Sequence, residues 1–412
     1  MEFVFKHALS LLQVGPSKKG FIEVFLINII GRNFTDKKIN SVVAVAYLIG
    51  HITSSLHDGK LYTTLQFGEW AIVTLRPPNQ DALRDANIKY KLKVLDVDGR
   101  FERYKLLLRA RKPIVDFFKR TEVKVILLDD LPTWFVWLAL KTRKYLGIPI
   151  VLRLRGDYDL VWKIQRAFRR KIHPWKNLNR VYGKIYTYFY KWGLKHCDLI
   201  ICHSNDLREK LVKQYKLNPG RVLHMRVRGI NINKTRPRYT TNTTKLKLVY
   251  GGRISSEKNL EHFLSVTRND ADIEIEIYGP IDSEEYFECL KRVSSNWIYK
   301  GSVSHAEMLE KLRDADMLFI NSLTEGSPRI VLEAMACGKP ILYPAIPPLI
   351  EMNPYGFRHN FTNLHEVLQH IKKCDRNLLK SLGVKNRIKV EREFSLDNEK
   401  KLVELIENIA KT

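Results

Sequence analysis

At 412 residues the chain exceeds the size at which a single hydrophobic core stops growing, so we expect two domains. No apolar run reaches the roughly 18 residues that cross a bilayer, and the short runs Phe21–Ile30 and Ser41–Ile49 are expected to be core elements. The start of the chain does not fit a secretory signal peptide. Five cysteines without framework spacing argue against a disulfide-stapled fold and favour a reducing, cytoplasmic environment.

The formal net charge of +26 belongs to one part of the chain. Residues 1–240 contain 46 Lys and Arg against 19 Asp and Glu, whereas residues 241–412 contain 24 against 25. This asymmetry predicts that the N-terminal part faces something anionic, such as phosphate groups, a membrane surface or nucleic acid.

The hydrophobic pattern predicts strands alternating with helices. The N-terminal part shows strands at 123–128, 148–154 and 198–202, and the polar segment 231–245 predicts a linker. In the C-terminal part, strands at 246–250, 273–278, 297–300, 317–321 and 340–343 alternate with helices at 257–267, 284–293, 305–314 and 328–337. This alternation predicts βαβ units, parallel sheets and a doubly wound α/β fold.

Residues 151–195 concentrate the basic surplus, with 12 Lys and Arg against two Asp and ten aromatic residues. Within this segment, Val161, Ile164, Phe168 and Ile172 lie on one helical face, and Lys163, Arg166, Arg169 and Arg170 lie elsewhere. The layout fits a helix resting on an anionic membrane surface, and it fits equally a helix that packs on its own core. Nucleic acid is not expected as a partner.

The loops after parallel strands should hold the ligand site. After the strand at 246–250 comes "GGRISSEKN", whose glycines let backbone approach a ligand and whose Arg253 and Lys258 predict a bound phosphate. Ordinary surface charge is the alternative.

A second loop and helix, "EGSPRIVLEAMACGK", contain a carboxylate on an apolar element. We expect Ser327 as the N-cap, Pro328 as the first helical residue and Gly338 just beyond the last turn. The helix start predicts a phosphate site. A buried Glu333 needs a partner, which is either a ribose diol or a nearby arginine.

These motifs resemble one family. "GGRISSEKN", "IYGP" and "GSVSHAEMLEKLRDADMLFINSLTEGSPRIVLEAMACGKPI" are similar to the signature of the retaining glycosyltransferases of family 4, including the glutamates Glu325 and Glu333 with seven residues between them. The similarity covers most of residues 200–400 and is fainter before them.

The resemblance implies a GT-B fold of two Rossmann-like domains facing a cleft. It implies an acceptor-side domain at 1–235, a donor domain at 236–393 and a C-terminal helix at 394–412 that packs back on the first domain. The donor would be a UDP- or GDP-sugar used as co-substrate, with no other cofactor. Arg253, Lys258 and Glu325 would act on the diphosphate and the sugar, and Glu333 on the ribose. The donor site would also include Gly252, Gly326, Ser327 and Pro328.

The chain departs from the family pattern in two loops. The family's Asn-Gly-Val/Ile-Asp turn reads Arg228-Gly229-Ile230-Asn231 here, and a histidine common near the reacting sugar is replaced by Arg155, Gly156 and Asp157. Acid–base help from a histidine in this loop is therefore in doubt, and a front-face mechanism would not need it.

No metal is expected. The Asp-x-Asp triplets Asp96/Asp98, Asp157/Asp159 and Asp314/Asp316 are expected by chance in a chain with 44 acidic residues. Cys197 and Cys202 of "HCDLIICH" would face opposite sides of a strand, which favours core cysteines over a zinc site.

The predicted function is transfer of a sugar, with retention, to a glycan or polyprenyl-phosphate-linked acceptor at the cytoplasmic face of a membrane. The alternative is a catalytically inactive protein of the same fold that binds an anionic surface.

Overall fold

The computed structural model describes the protein at residues 44–49, 69–74, 89–94, 111–129, 133–172, 179–226, 228–238 and 245–411. The expected core element at 21–30 and the pair Asp96/Asp98 lie outside these residues.

The first sheet has seven parallel strands in the order β3-β2-β1-β4-β5-β6-β7. They are β1 (Ala44–Ile49), β2 (Glu69–Thr74), β3 (Lys89–Val94), β4 (Val123–Asp129), β5 (Ile150–Leu154), β6 (Leu199–Cys202) and β7 (Val222–His224). The strands predicted from the sequence are present as β4, β5 and β6. The described helices of this part are α1 (Arg111–Arg120), α2 (Thr133–Leu146), α3 (Tyr158–Ile172), α4 (Asn179–His196) and α5 (Asn205–Lys213).

The second sheet has six parallel strands in the order β10-β9-β8-β11-β12-β13. They are β8 (Leu246–Gly251), β9 (Ile273–Tyr278), β10 (Ile298–Tyr299), β11 (Met317–Phe319), β12 (Ile341–Pro344) and β13 (Gly356–His359). The helices are α6 (Leu260–Val266), α7 (Glu284–Val293), α8 (His305–Asp314), α9 (Arg329–Ala336), α10 (Pro347–Met352), α11 (Leu364–Lys373) and α12 (Arg376–Glu393). The predicted alternation of strands and helices is confirmed.

The predicted helix at 257–267 is wrong in its first part. A short 3₁₀ turn covers Ser256–Lys258, and α6 begins only at Leu260. Asn259 between them has φ 53° and ψ 37°, a left-handed conformation that Asn tolerates better than most residues and that interrupts a right-handed helix.

Each sheet reverses its strand order once, where β1 pairs with β4 and where β8 pairs with β11. In doubly wound sheets, ligands bind outside the carboxyl ends of the strands at such a point. The loops that follow β8 and β11 are therefore expected to form the ligand-binding site.

The chain returns to the first sheet at its end. After α12, helix α13 (Asp397–Lys411) contacts β1 and β4 and buries Leu402, Val403 and Ile406. Within this interface the buried Glu399 carboxylate lies 3.4 Å from Arg153 Nη1. The fold therefore consists of two α/β domains, and the C-terminal helix crosses from the second domain back to the first.

Helix α3 extends from the first sheet onto the second part of the protein. Its Phe168 ring packs edge-on against Tyr286, with centroids 5.1 Å apart, and Gln165 donates to Glu257 at 3.1 Å. Packing within the protein thus accounts for Phe168 on the apolar face, while the cations Lys163, Arg169, Arg170 and Lys171 are exposed. No helix within the described ranges is long and apolar enough to span a membrane.

Candidate active site

The loops after β8 and β11 are joined at the carboxyl edge of the second sheet. The backbone N–H of Leu323 donates to the Glu257 carbonyl at 2.9 Å, which fastens the loop after β11 to the turn after β8. This contact brings together two of the predicted site segments.

Lys258 and Glu325 meet where these loops join. Lys258 Nζ lies 2.7 Å from Glu325 Oε1, and Ser322 Oγ donates to the same oxygen at 2.7 Å. Both charged side chains are largely buried, with 16% and 11% exposure. A cation and a carboxylate therefore share one point of the cleft wall.

Arg253 lies beside this point, facing two carboxylates. Its guanidinium is 3.1 Å from Glu257 Oε1 and 3.2 Å from Asp282 Oδ2. Burial opposes ionisation of Glu257, but Arg253 and a hydrogen bond from Ser255 hold the pKa of this carboxyl below its ordinary value. Arg253 precedes the short turn at Ser256–Lys258 rather than a helix, and its charge is paired with these two carboxylates. Gly252 packs against Gly279, where an added Cβ would meet the Gly252 carbonyl oxygen at 1.9 Å.

Helix α9 begins one residue later than predicted. Pro328, with φ −67° and ψ 114°, is the N-cap, and Arg329 is the first helical residue. The prediction of Ser327 as N-cap is wrong because the proline retains an extended ψ. Gly338 has φ 72°, which confirms the predicted left-handed residue just beyond the helix.

Glu333 has protein partners. Its side chain is 2% exposed, and its Oε1 lies 2.9 Å from Arg329 Nε and 2.8 Å from His305 Nε2. Two partners were predicted for Glu333, a ribose diol or a nearby arginine. The arginine is present as Arg329, one helical turn before the glutamate. His305 begins α8 and was missed by the sequence interpretation.

The two halves of the protein touch at Gly326. A Cβ added there would lie 1.5 Å from the Arg155 carbonyl oxygen and 2.8 Å from the Gly156 Cα, so only glycine fits. The loop after β5 therefore faces the predicted donor loop directly. Asp157 in the same loop accepts from the Leu160 backbone N–H at 3.0 Å and pairs with Lys210, which gives it a structural role.

The cleft also contains a cationic pocket that was not predicted from the sequence. Its lining includes His203, Arg226, Arg228, Gly326, Ser327 and Glu351. Burial and the neighbouring Arg228 hold the pKa of His203 well below its ordinary value. Burial, Arg155 and Arg329 lower the pKa of Arg228 to about 10. His203 follows the carboxyl end of β6, so the rule applied to the second sheet would have indicated it.

The weaker candidates have structural partners. Asp314 and Asp316 pair with Arg238 and Arg376. Cys197 and Cys202 are buried free thiols whose pKa burial raises to about 12. Among the described residues, no three His, Cys, Asp or Glu side chains are grouped so that they could hold a metal ion.

Two protein families match the chain in adjacent ranges. Residues 71–230 match Glycosyltransferase Family 4, and residues 231–374 match Glycosyl transferases group 1. Together with the fold, these matches define a GT-B glycosyltransferase fold of two Rossmann-like domains. The chain belongs to the group 1 glycosyltransferases of family 4.

Curated relatives match part of their lengths. An uncharacterized glycosyltransferase of Methanocaldococcus jannaschii is 25% identical over 206 residues, 48% of this chain and 49% of the relative. The GPI3 subunit of the Saccharomyces cerevisiae phosphatidylinositol N-acetylglucosaminyltransferase is 24% identical over 183 residues, 40% of this chain and 39% of that protein. This chain thus spans about half or less of these relatives.

Solved structures share the fold. Sucrose-phosphate synthase of Thermosynechococcus elongatus has a TM-score of 0.70 at 15% identity, covering 89% of this chain and 99% of that one. Anabaena HepE, solved in complex with UDP and glucose, has a TM-score of 0.64 at 12% identity, covering 88% of this chain and 99% of that one. At these identities the likeness describes the architecture alone.

Proposed function

We propose that the protein transfers a sugar from a nucleoside-diphosphate sugar to an acceptor, with retention of the anomeric configuration. The observation that carries this proposal is the meeting of Lys258 with Glu325 at 2.7 Å, beside Gly326 and at the switch point of the second sheet. Lys258, a cation that could bind a phosphate, and Glu325, a carboxylate that could bind sugar hydroxyls, therefore lie next to each other in the cleft.

The donor would contact the two loops and helix α9. Arg253 and Lys258 would bind and neutralise the diphosphate, with Gly252 allowing its close approach, and Glu325 would accept hydrogen bonds from the sugar hydroxyls. Because both cations already face carboxylates, the diphosphate would share them rather than meet free charges.

The rest of the donor site would be formed by the start and second turn of α9. Gly326 and Ser327 would offer backbone N–H groups to the phosphates, and Pro328, which has no N–H, would contribute only shape. Glu333 would accept the ribose hydroxyls while Arg329 and His305 hold it in place.

Retention is proposed from the resemblance to the retaining glycosyltransferases, and the loop after β5 is compatible with it. This loop carries no histidine, and its Asp157 is engaged by Lys210 and by the start of α3. In a front-face reaction the bond from the anomeric carbon to the phosphate oxygen breaks and the bond to the acceptor oxygen forms on the same face. The departing phosphate oxygen then takes the acceptor's proton, so no protein base is required.

The donor can be identified by nucleotide release. The protein would be incubated with a panel of UDP-, GDP- and ADP-sugars without acceptor, and slow hydrolysis would be followed by the nucleotide produced. We expect release from one base class, UDP or GDP. The anomeric configuration of the first hydrolysis product, followed by proton NMR, tests retention. Absence of release from every donor, also after addition of phosphorylated lipid acceptors, would support the inactive alternative.

We propose further that the acceptor is lipid-linked and is reached at a membrane surface. The support is the basic N-terminal part and the exposed cations of α3, together with a yeast relative whose name includes phosphatidylinositol. Each exposed cation near an anionic surface contributes about 1 kcal/mol, and salt screens that attraction.

Co-sedimentation with neutral and anionic vesicles at low and high salt tests this surface. The variant replaces three exposed cations of α3 with glutamine, namely Arg169, Arg170 and Lys171. Its control replaces three exposed lysines of α11 and α12, namely Lys373, Lys380 and Lys385. We expect only the α3 variant to lose binding to anionic vesicles. Equal binding by both variants would refute the assignment of α3 as the membrane surface.

A further inference from the structure

The pocket between the two sheets combines groups from both halves of the protein. His203 follows β6, and Arg226 and Arg228 belong to the segment that crosses to the second part. Gly326 and Ser327, in the predicted donor loop, form the opposite wall. The pocket therefore adjoins the donor site and is reached from the first sheet.

His203 is built into this pocket without a hydrogen-bond partner. Its side chain is only 7% exposed, and neither ring nitrogen has a hydrogen-bond partner among the residues that the structure describes. Arg228 Nε in the same pocket is also buried without one. Leaving such buried polar groups unpaired is unfavourable, and a polar ligand in the pocket would supply the missing hydrogen-bond partners.

The carboxylates near the pocket are engaged elsewhere. Glu351 accepts from the Asn205 backbone N–H at 2.8 Å and lies 3.0 Å from His224 Nε2. Glu393 lies 3.3 Å from Arg226, whose side chain is 43% exposed. These pairs fix the carboxylates in position. The Glu399 carboxylate also acts on Arg228 and favours its charged form, but burial and the neighbouring arginines outweigh it.

Like charges crowd around Arg228. Arg155 and Arg329, the latter on α9, act on its guanidinium and disfavour its charged form. The resembling family has asparagine at the position of Arg228, so the charge belongs to this chain rather than to the common pattern. An anion in the pocket would relieve this repulsion and provide acceptors for His203 and Arg228 together.

We propose that this pocket binds a phosphate-type oxyanion carried by the acceptor. The inference rests on the proposed function, and it assigns the acceptor to molecules with a phosphate ester close to the accepting hydroxyl. The donor diphosphate has its own cations, Arg253 and Lys258, on the loops of the second sheet. The pocket's cations, Arg226 and Arg228, belong to the segment that leaves the first sheet, and the neutral His203 follows β6. This is the side expected to hold the acceptor.

The test is calorimetric titration of the full chain with inorganic phosphate, with the donor site first saturated by UDP or GDP. Three proteins are compared: the unmodified chain, Arg228→Asn, which restores the family residue, and Arg253→Ala, which alters only the donor side. We expect Arg228→Asn to weaken phosphate binding about tenfold or more while nucleotide affinity stays within about twofold. Arg253→Ala should weaken nucleotide binding and leave phosphate binding largely unchanged.

Two results would overturn the proposal. Loss of phosphate binding when nucleotide saturates the protein would assign the pocket to the donor diphosphate. Unchanged phosphate binding in Arg228→Asn would show that the pocket does not hold the anion. If Arg228→Asn does not fold, Arg228→Lys keeps the charge without the forked donor geometry and should still weaken phosphate severalfold. Failure of every nucleotide to bind counts against the proposed function. The phosphate affinities of the same variants, measured without nucleotide, then show whether the pocket binds the anion.

Discussion

Replacing Lys258 with alanine separates a role on the donor from a purely structural one. The ion pair to Glu325 is 2.7 Å long between side chains that are 16% and 11% exposed. At an effective dielectric constant of about 20, such a pair attracts by about 6 kcal/mol. Desolvation of both ions cancels most of that energy, so we expect Lys258→Ala to lower the free energy of unfolding by about 1–3 kcal/mol.

The chain contains a matched control at the opposite edge of the second sheet. Lys372 lies 2.8 Å from Asp270, and the two side chains are 18% and 13% exposed, so Lys372→Ala should cost similar stability. Only Lys258→Ala should lower kcat/KM for nucleotide release, by the roughly 30-fold to several-thousand-fold that corresponds to about 2–5 kcal/mol. Denaturant unfolding and steady-state kinetics measure both quantities. Equal kinetic losses in the two variants, or none in Lys258→Ala, would refute the donor role.

Three further sets of substitutions test the two glutamates, Gly326 and His203. Glu333→Gln should raise the donor KM more than it lowers kcat, whereas Glu325→Gln, nearer the reacting carbon, should mainly lower kcat; the opposite split in steady-state kinetics would exchange their roles. Gly326→Ala should reduce kcat/KM about tenfold or more with little change in Tm, because its Cβ would meet the Arg155 carbonyl oxygen at 1.5 Å and hold the cleft open; full activity would mean that this contact is not part of the working state. His203 has a pKa lowered by burial, so the unfolded chain binds its proton first and stability falls as the pH drops through about 6.5, by at most about 1.4 kcal/mol per pH unit. Urea unfolding of His203→Asn between pH 7 and 5 should therefore show a shallower decline than the unmodified protein, and parallel curves would contradict the buried neutral histidine.

Much of the second sheet could be predicted because its strands and helices are short, regular and separated by clear turn residues. The exceptions are local backbone choices. Asn259 adopts a left-handed conformation, so α6 begins only at Leu260. Pro328 keeps an extended ψ, so α9 begins one residue later than predicted. Propensities at a single residue do not decide between such alternatives.

The partners of the site residues were less accessible to sequence reasoning. Arg329 could be foreseen because it precedes Glu333 by four residues on one helix. His305, on another helix, reaches the same carboxylate only through the packing of α8 against α9. Likewise, Arg228 enters the cleft only because the chain crosses between the sheets there, a placement that no local pattern encodes.

We propose that the cleft beside Glu325 and Glu333 binds a nucleoside-diphosphate sugar. Isothermal titration calorimetry of the chain with UDP, GDP and ADP can detect this binding, with Glu333→Gln as the site variant and Lys372→Ala as the control. We expect binding of one nucleotide per chain, weakened in Glu333→Gln and unchanged in Lys372→Ala. Equal affinity in all three proteins, or no binding of any of these nucleotides at millimolar concentration, would contradict it.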